Sequence, residues 1–223
     1  GEGVAVLFGN YAGDNMNVKM AVQMAEDDDI EVKYVVANDD VASAPKAVKE
    51  QRHGIAGGFF MWKVGGARAA KGGSLDDVIA SAKNVVSRTR SICVGLEPCV
   101  IPALGHPNFK IEDGMMEFGV GHHGEIAQEM AQTILDDFDF KEGKEVAVML
   151  SGLGATPVME LYVLYDEVEK VLAKAGHRVW KTYIGNYVTS LDMNGASLTI
   201  VDLDDEIKEL LSEPAAPIGM KNY

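Results

Sequence analysis

The run GVGHHGE, Gly119 to Glu125, sets two adjacent imidazoles in a glycine-rich stretch where backbone can approach a ligand closely. A neutral imidazole can act as a nucleophile toward a carbonyl, so His123 is a candidate to hold a small ketone or aldehyde. A structural histidine and a metal ligand are the other readings. Against the metal, side chains at i and i+1 point apart, and no CxxC or HExxH pattern accompanies His122 and His123. The second candidate is Asp14, where the turn NYAGD (Asn10 to Asp14) passes into a helical pattern. As an N-cap or first-turn acid it would stabilise the helix start. As a carboxylate at the mouth of a site it could take a proton from a hydroxyl. Both roles stay open on residue chemistry alone. Ser151-Gly-Leu-Gly is not the GxSxG elbow of a serine nucleophile, and neither GxxxxGK[ST] nor a helix-opening GxGxxG occurs. The sequence therefore offers no nucleotide cradle of its own.

These residues need a scaffold that brings loops together. In open α/β sheets ligands bind beyond the carboxyl ends of the strands. That rule singles out the loops NYAGD, NDD (Asn38 to Asp40), GVGHHGE and SGLGATP (Ser151 to Pro157), which follow strand-like runs. Val4 to Gly9 is short, apolar and followed by turn residues, so it reads as a buried strand. A helical pattern from about Asn15 to Asp28 and a strand at Ile30 to Val36 complete a βαβ unit, which implies a parallel pair. Gly54 to Lys71 is apolar nearly all round and reads as a buried helix. Ser74 caps another helix that runs to about Arg90.

Short β-like pieces follow around Cys93 to Ile101, Phe109 to Glu112 and Met115 to Val120. Then come a helix (Glu125 to Phe138), a strand (Glu145 to Leu150), a helix (Val158 to Ala175), two strands (Arg178 to Ile184, Ser197 to Asp202) and a last helix (Asp205 to Leu211). The expected fold is α/β in two lobes, residues 1–92 and 93–223, each a mixed β-sheet flanked by helices.

The 223 residues suffice for one large domain or two modest ones. A net charge of −14, with scattered lysines flanked by acids, excludes a surface that tracks nucleic acid. An anionic ligand in a local pocket is still compatible, although the global field would not steer one in. Cys93 and Cys99 are too few for a disulfide framework and lack zinc partners. Their apolar neighbours predict buried thiols. No apolar run approaches the ~20 residues of a membrane span, and no charged-then-apolar leader opens the chain. A cytoplasmic protein is expected. The first residue is Gly1, directly before a strand-like run, so lost upstream residues are expected too.

Five blocks, taken in order, carry a resemblance. NYAGDNMN (Asn10 to Asn17), RHGIAG (Arg52 to Gly57), GVGHHGE, SGLGATPVMEL (Ser151 to Leu161) and GNYVTSLDMNG (Gly185 to Gly195) are similar to the substrate-binding subunit of dihydroxyacetone kinase. The match covers essentially all of this chain and corresponds to the later portion of a usual family member. The resemblance implies that His123, not His122, binds the ketose covalently as a hemiaminal at its carbonyl carbon. It places Asp14 beside the terminal hydroxyl that is phosphorylated, with Gly9, Asn10, Gly13 and Gly121 in the substrate-contacting turns.

The resemblance also implies that this chain binds no cofactor or metal itself. A partner nucleotide-binding subunit holds ATP or ADP with magnesium, either as direct donor or within a phosphoenolpyruvate-dependent relay. The family's substrate-binding subunits are typically homodimers. A covalent bond has a physical purpose here: only a carbonyl forms the adduct, so glycerol is rejected by chemistry instead of shape.

The chain departs from the family pattern in three places. The early G-G-G-S-G-H-E-P segment, which supplies substrate contacts and a second histidine, is absent. Gly9 stands where many members carry Lys. Ile126 stands where Pro usually follows H-G-E. DDVASAPK (Asp39 to Lys46) and GGFFMWK (Gly57 to Lys63) look more like relatives acting on four-carbon ketoses such as erythrulose. Two further readings stand beside the kinase subunit: a catalytically silent ketose sensor that signals to a regulator, and a truncated or split product completed by a second polypeptide.

Overall fold

The computed structural model describes residues 3–96, 123–139 and 143–217. The elements run in the order β1 (Val4–Gly9), α1 (Ala12–Asp27), β2 (Val32–Ala37), a 3-10 turn (Lys46–Gln51), α2 (Gly58–Ala70), α3 (Leu75–Ser87) and β3 (Thr89–Gly95). They continue with α4 (His123–Asp137), β4 (Glu145–Gly152), α5 (Val158–Lys174), β5 (Arg178–Gly185), β6 (Gly195–Asp202) and α6 (Asp205–Ser212). The chain is an α/β protein of two compact units, Gly1–Thr89 with Leu203–Tyr223, and Arg90–Asp202.

In the first unit β1 and β2 are parallel, with Val4 opposite Val32 and Gly9 opposite Ala37. Parallel neighbours need a crossover, and α1 supplies it. The core lies under the next two helices. Phe60, Met61, Val64 and Ala67 of α2 and Val78, Ile79, Ala82 and Val85 of α3 are buried at helical spacing. At Gly65 an added Cβ would come within 2.8 Å of Leu7 Cδ1, so α2 packs close on β1. Ser74 caps α3 as expected, with a full capping box: Asp77 N donates to Ser74 Oγ at 3.2 Å, and Ser74 N donates to Asp77 Oδ2 at 2.9 Å. The Ser74 hydroxyl, which donates to Asp77 Oδ2 at 2.7 Å, and then the Ser74 N–H hold the Asp77 carboxyl below its ordinary pKa. By contrast α1 buries none of its residues. Met16, Met20 and Met24 stand at 69%, 61% and 64% exposure along one side of it.

In the second unit the sheet order is β3-β6-β4-β5, with β4 parallel to β5 and antiparallel to β6. Val146 to Leu150 of β4 are all buried, odd and even positions alike. A strand covered on both faces reads as a continuous apolar run, which is why this one is Val-Ala-Val-Met-Leu. Ala127, Met130, Ala131 and Ile134 of α4 and Leu161, Leu164, Val168 and Leu172 of α5 complete the core.

The fold differs from expectation in five places. The Val4–Gly9 strand, expected to be buried, is half-buried with Val4 exposed. Among the described residues the first unit's sheet is a parallel pair, and the mixed sheet belongs to the second unit. The expected boundary near residue 92 lies inside β3, and the chain from Leu203 packs with the first unit. Buried Ile207, Leu210 and Leu211 and several polar ties hold α6 there. Lys63 Nζ donates to the carbonyls of Leu210 and Glu213, at 3.1 and 2.6 Å, and Arg68 pairs with Glu206 at 2.6 Å. The first helix starts at Ala12, not Asn15, because Tyr11 in extended conformation (φ −130°, ψ 147°) serves as its N-cap. Cys93 is exposed. Its neighbours Ile92 and Val94 are buried, and side chains alternate along a strand, so Cys93 faces the other way. The expected strands at Phe109 to Glu112 and Met115 to Val120, and Cys99, lie outside the described residues.

Candidate functional site

The turn NYAGD occupies the carboxyl end of β1, as the strand-end rule requires. Gly9 is the last strand residue, and Asn10 N extends the ladder by donating to Ala37 O at 2.9 Å. Tyr11 caps α1 without a side-chain hydrogen bond, so Asp14 is not the N-cap but the acid of the first turn. Asp14 is exposed, and among the described residues its carboxylate makes no hydrogen bond or ion pair. Gly13 has open space around it: an added Cβ would meet nothing within 4 Å.

The turn is held from the side by residues 38–57. Asn10 Nδ2 donates to Arg52 O at 2.6 Å and Glu50 O at 3.1 Å, while Asn10 Oδ1 accepts from Asn15 Nδ2 at 2.8 Å. The Tyr11 ring stacks on His53, with centroids 4.9 Å apart. Gly54 presses on the ends of both strands. A Cβ there would collide with Ala37 O and come within 2.7 Å of Gly9 Cα and 2.8 Å of Asn10 N, so only glycine fits without displacement. The same approach constrains position 9, where a Cβ would sit 2.8 Å from Gly54 O. The missing side chain at Gly9 is thus matched by the close passage of Gly54.

Two buried charges brace this segment. Asp39, 2% exposed, accepts from Ile55 N at 3.1 Å and Gly57 N at 2.8 Å. Arg52, also 2% exposed, donates from Nε to Ala44 O at 2.8 Å. Next to them, burial pushes the Asp40 carboxyl above its ordinary pKa. Sequence reasoning picked out the NDD loop but missed Asn15, Asp39 and Arg52 as structural parts of the site. The signal for them was the glycine pair Gly54 and Gly57, spaced to let backbone pass close to a strand end and a carboxylate.

In the second unit His123 is the first residue of α4, two residues earlier than expected. Proline at 126 would lack an amide for the first helical turn; Ile126 keeps it. Gly121 and His122 lie outside the described residues, so GVGHHGE is described only from its helical end. Asp14 belongs to the first unit and His123 to the second.

The SGLGATP and GNYVTSLDMNG blocks fit each other. Ser151, fully buried, donates to Val188 O and accepts from Tyr187 N and Val188 N, each at 3.0 Å. A hydroxyl so committed holds a loop. Thr156 Oγ1 donates to Gly195 O at 2.6 Å and accepts from Gly195 N at 2.8 Å. Gly154 at φ +117° bridges to Met193, in backbone space that a Cβ would contest with Leu191 O. Beyond them, burial raises the Tyr183 hydroxyl to about 12.

Among the described residues no group of three or more His, Cys, Asp or Glu side chains could hold a metal ion. No helix among them is long and apolar enough to cross a membrane.

Comparison with known proteins gives consistent matches. The Dak1 domain family matches residues 1–218. The chain is 38% identical over 219 residues to the PTS-dependent dihydroxyacetone kinase 1, dihydroxyacetone-binding subunit DhaK, of Listeria innocua serovar 6a, across 92% of this chain and 67% of that protein. It is 37% identical over 226 residues to the D-erythrulose kinase of Mycolicibacterium smegmatis, across 96% of this chain and 39% of that protein. Among solved structures, the dihydroxyacetone kinase operon co-activator Dha-DhaQ matches with a TM-score of 0.88 at 28% identity, covering 96% of this chain and 70% of that one.

Proposed function

The chain belongs to the Dak1 family, and from that premise we propose that it is the substrate-binding subunit of a dihydroxyacetone (glycerone) kinase. The observation that carries this is the 38% identity to a dihydroxyacetone-binding subunit over 92% of the chain. In this reading an imidazole nitrogen of His123 adds to the ketose carbonyl carbon. The new C–N bond forms as the C=O π pair moves to oxygen, which gains a proton while the ring gives one up. The product is a neutral hemiaminal, and fixing the ketose in this way is a proximity effect. Asp14 then takes the proton of the terminal hydroxyl as that oxygen forms the new bond to phosphorus, and the bond from phosphorus to the donor's bridging oxygen breaks, its electron pair leaving with the donor. An exposed carboxylate in the first turn of α1, at a strand end, supports that role. Gly13 has open space around it, where the ketose could approach, and Gly9, Asn10 and Gly121 are the further substrate contacts of this reading.

In this reading a partner nucleotide-binding subunit holds ATP or ADP with magnesium, and the phosphoryl group comes from ATP directly or through a phosphoenolpyruvate-dependent relay; the sequence here carries no phosphate-cradling motif. The subunit acts as a homodimer in the cytoplasm. The four-carbon ketose erythrulose is the alternative substrate, supported by 37% identity to a D-erythrulose kinase.

A second reading has its own support. The likeness to an operon co-activator, with a TM-score of 0.88, fits a ketose-binding sensor without turnover.

Native mass spectrometry with dihydroxyacetone, glycerol and erythrulose tests the proposal. An adduct is expected with the ketoses alone and is lost in His123→Ala. Asp14→Asn keeps the adduct and lowers turnover, with the cognate nucleotide subunit present, by about 10²- to 10⁴-fold. A wild-type protein that forms no adduct refutes covalent binding. Adduct without turnover selects the sensor.

A further inference from the structure

A general base must be held to within a fraction of an ångström of the hydroxyl it serves, yet α1, which carries Asp14, buries no residue and has no side-chain cap. Packing does not fix it. Two asparagines do. Asn10 directs its Nδ2 to the carbonyls of Arg52 and Glu50, at 2.6 and 3.1 Å, and offers its Oδ1 to Asn15 Nδ2 at 2.8 Å. Asn15 Nδ2 also donates to Tyr11 O at 2.9 Å. Residues 11–14 are therefore bracketed, with one asparagine before the turn and one just after it. The far anchor is firm: Arg52 and Gly54 are buried, and Gly54 is wedged between Gly9 and Ala37. The Asp39 carboxylate holds the backbone at Ile55 and Gly57.

The resemblance expects Asn10 among the substrate contacts. Its amide points elsewhere: the donor nitrogen serves two main-chain carbonyls, and the oxygen serves Asn15. We propose that Asn10 and Asn15 are positioning residues for phosphoryl transfer, setting the Asp14 carboxylate against the ketose hydroxyl through this bracket without touching the ketose. The proposal rests on Asp14 being the base. Neither asparagine changes charge during the reaction, so their effect is geometric, and a misplacement of about 1 Å is enough to cost roughly 100-fold in rate.

The test uses the whole chain with its cognate nucleotide subunit. Asn10→Ala, Asn10→Asp and Asn15→Ala are compared with wild type by steady-state kinetics on dihydroxyacetone and by occupancy of the His123 adduct. Asn10→Asp keeps the acceptor for Asn15 but puts carboxylate oxygen against two carbonyls. Asn15→Ala removes a half-buried side chain and leaves the fold intact even if position 10 proves intolerant. All three are expected to lower kcat by about 10- to 100-fold, with KM and adduct occupancy within about twofold of wild type. A purely structural role would lower adduct occupancy and melting temperature together. Wild-type kcat in Asn15→Ala overturns the bracket. So does a raised KM with lost adduct at unchanged kcat in the Asn10 variants, which would return Asn10 to the substrate contacts. If wild type itself neither forms the adduct nor turns over, the underlying reading fails, a result distinct from failure of the bracket. Turnover retained in Asp14→Asn removes the base that the bracket is argued to serve.

Discussion

The two units hold their loops in different ways. In the second unit β4 is buried on both faces from Val146 to Leu150, and α4 and α5 each bury four apolar side chains. Its loops, tied by the hydroxyls of Ser151 and Thr156, grow out of a sheet that is already rigid. In the first unit the described sheet has two strands, and the helix between them buries nothing. The turn with Asp14 is set there by amides and a buried carboxylate. Close packing holds a position through many small contacts, whereas a hydrogen-bonded turn depends on a few directional ones. A single polar substitution should therefore disturb the first unit's chemistry, while the second unit's core should yield to cavities.

The largest expected effect comes from attacking that contrast directly. Ile134→Ala in α4 and Leu150→Ala in β4 each remove a fully or nearly fully buried side chain, and each should cost about 2–5 kcal/mol of unfolding free energy. Met20→Ala, on a residue 61% exposed in α1, should stay within about 0.5 kcal/mol. Urea titration of the three variants measures the difference. Equal losses would mean that α1 is covered in solution and that the contrast is not a property of the protein.

Next comes Thr156→Val, which keeps the shape and removes the hydroxyl between Gly195 N and Gly195 O. Gly195 N loses its acceptor, while Gly195 O keeps its bond from Leu153 N at 3.2 Å, and the expected cost is about 1–3 kcal/mol. Amide exchange should rise around Gly195 while the β4 core stays protected. If exchange instead rises throughout the second unit, its loops and core are one cooperative element, and the division between loop ties and core packing dissolves.

The contrast also explains what the sequence could reveal. Strands and helices were legible wherever a local pattern carried them. The Val4–Gly9 strand, the Ser74 cap and the long helix of Leu161, Leu164, Val168 and Leu172 all lie within a few residues of their own signal. The turn carrying Asp14 was legible as a loop after a strand. What holds it was not: Asn10 finds its partners at Glu50 and Arg52, some 40 positions away. Asp39 and Arg52 look like solvated loop charges in the sequence, yet each is 2% exposed. The return of α6 to the first unit was hidden for the same reason, since Lys63 and Arg68 meet it across nearly 140 residues or more. Periodicity reports which face is apolar. It says nothing of which distant carbonyl an amide will meet.

The smallest expected effect concerns that return, and it is a dependence on pH. Hydrogen bonds from Ser81 and Arg68, with a further one from Asn84, hold the Glu206 carboxyl below its ordinary 4.5. These groups tie α6 to α2 and α3. A carboxyl with a lowered folded-state pKa gives its full stabilisation above its unfolded value, and that stabilisation fades as pH falls through the folded one. Glu206→Gln keeps the shape and cannot ionise. Wild type should therefore exceed Glu206→Gln by a constant margin at neutral pH, and the margin should close as pH drops below 4.5. The side chain is 37% exposed, so solvent screens it and the margin is small. Urea midpoints across that range supply the measurement. A margin unchanged in acid would mean that α6 is held by Ile207, Leu210 and Leu211 alone, and the first unit would then share the second unit's apolar mode of assembly at this one helix.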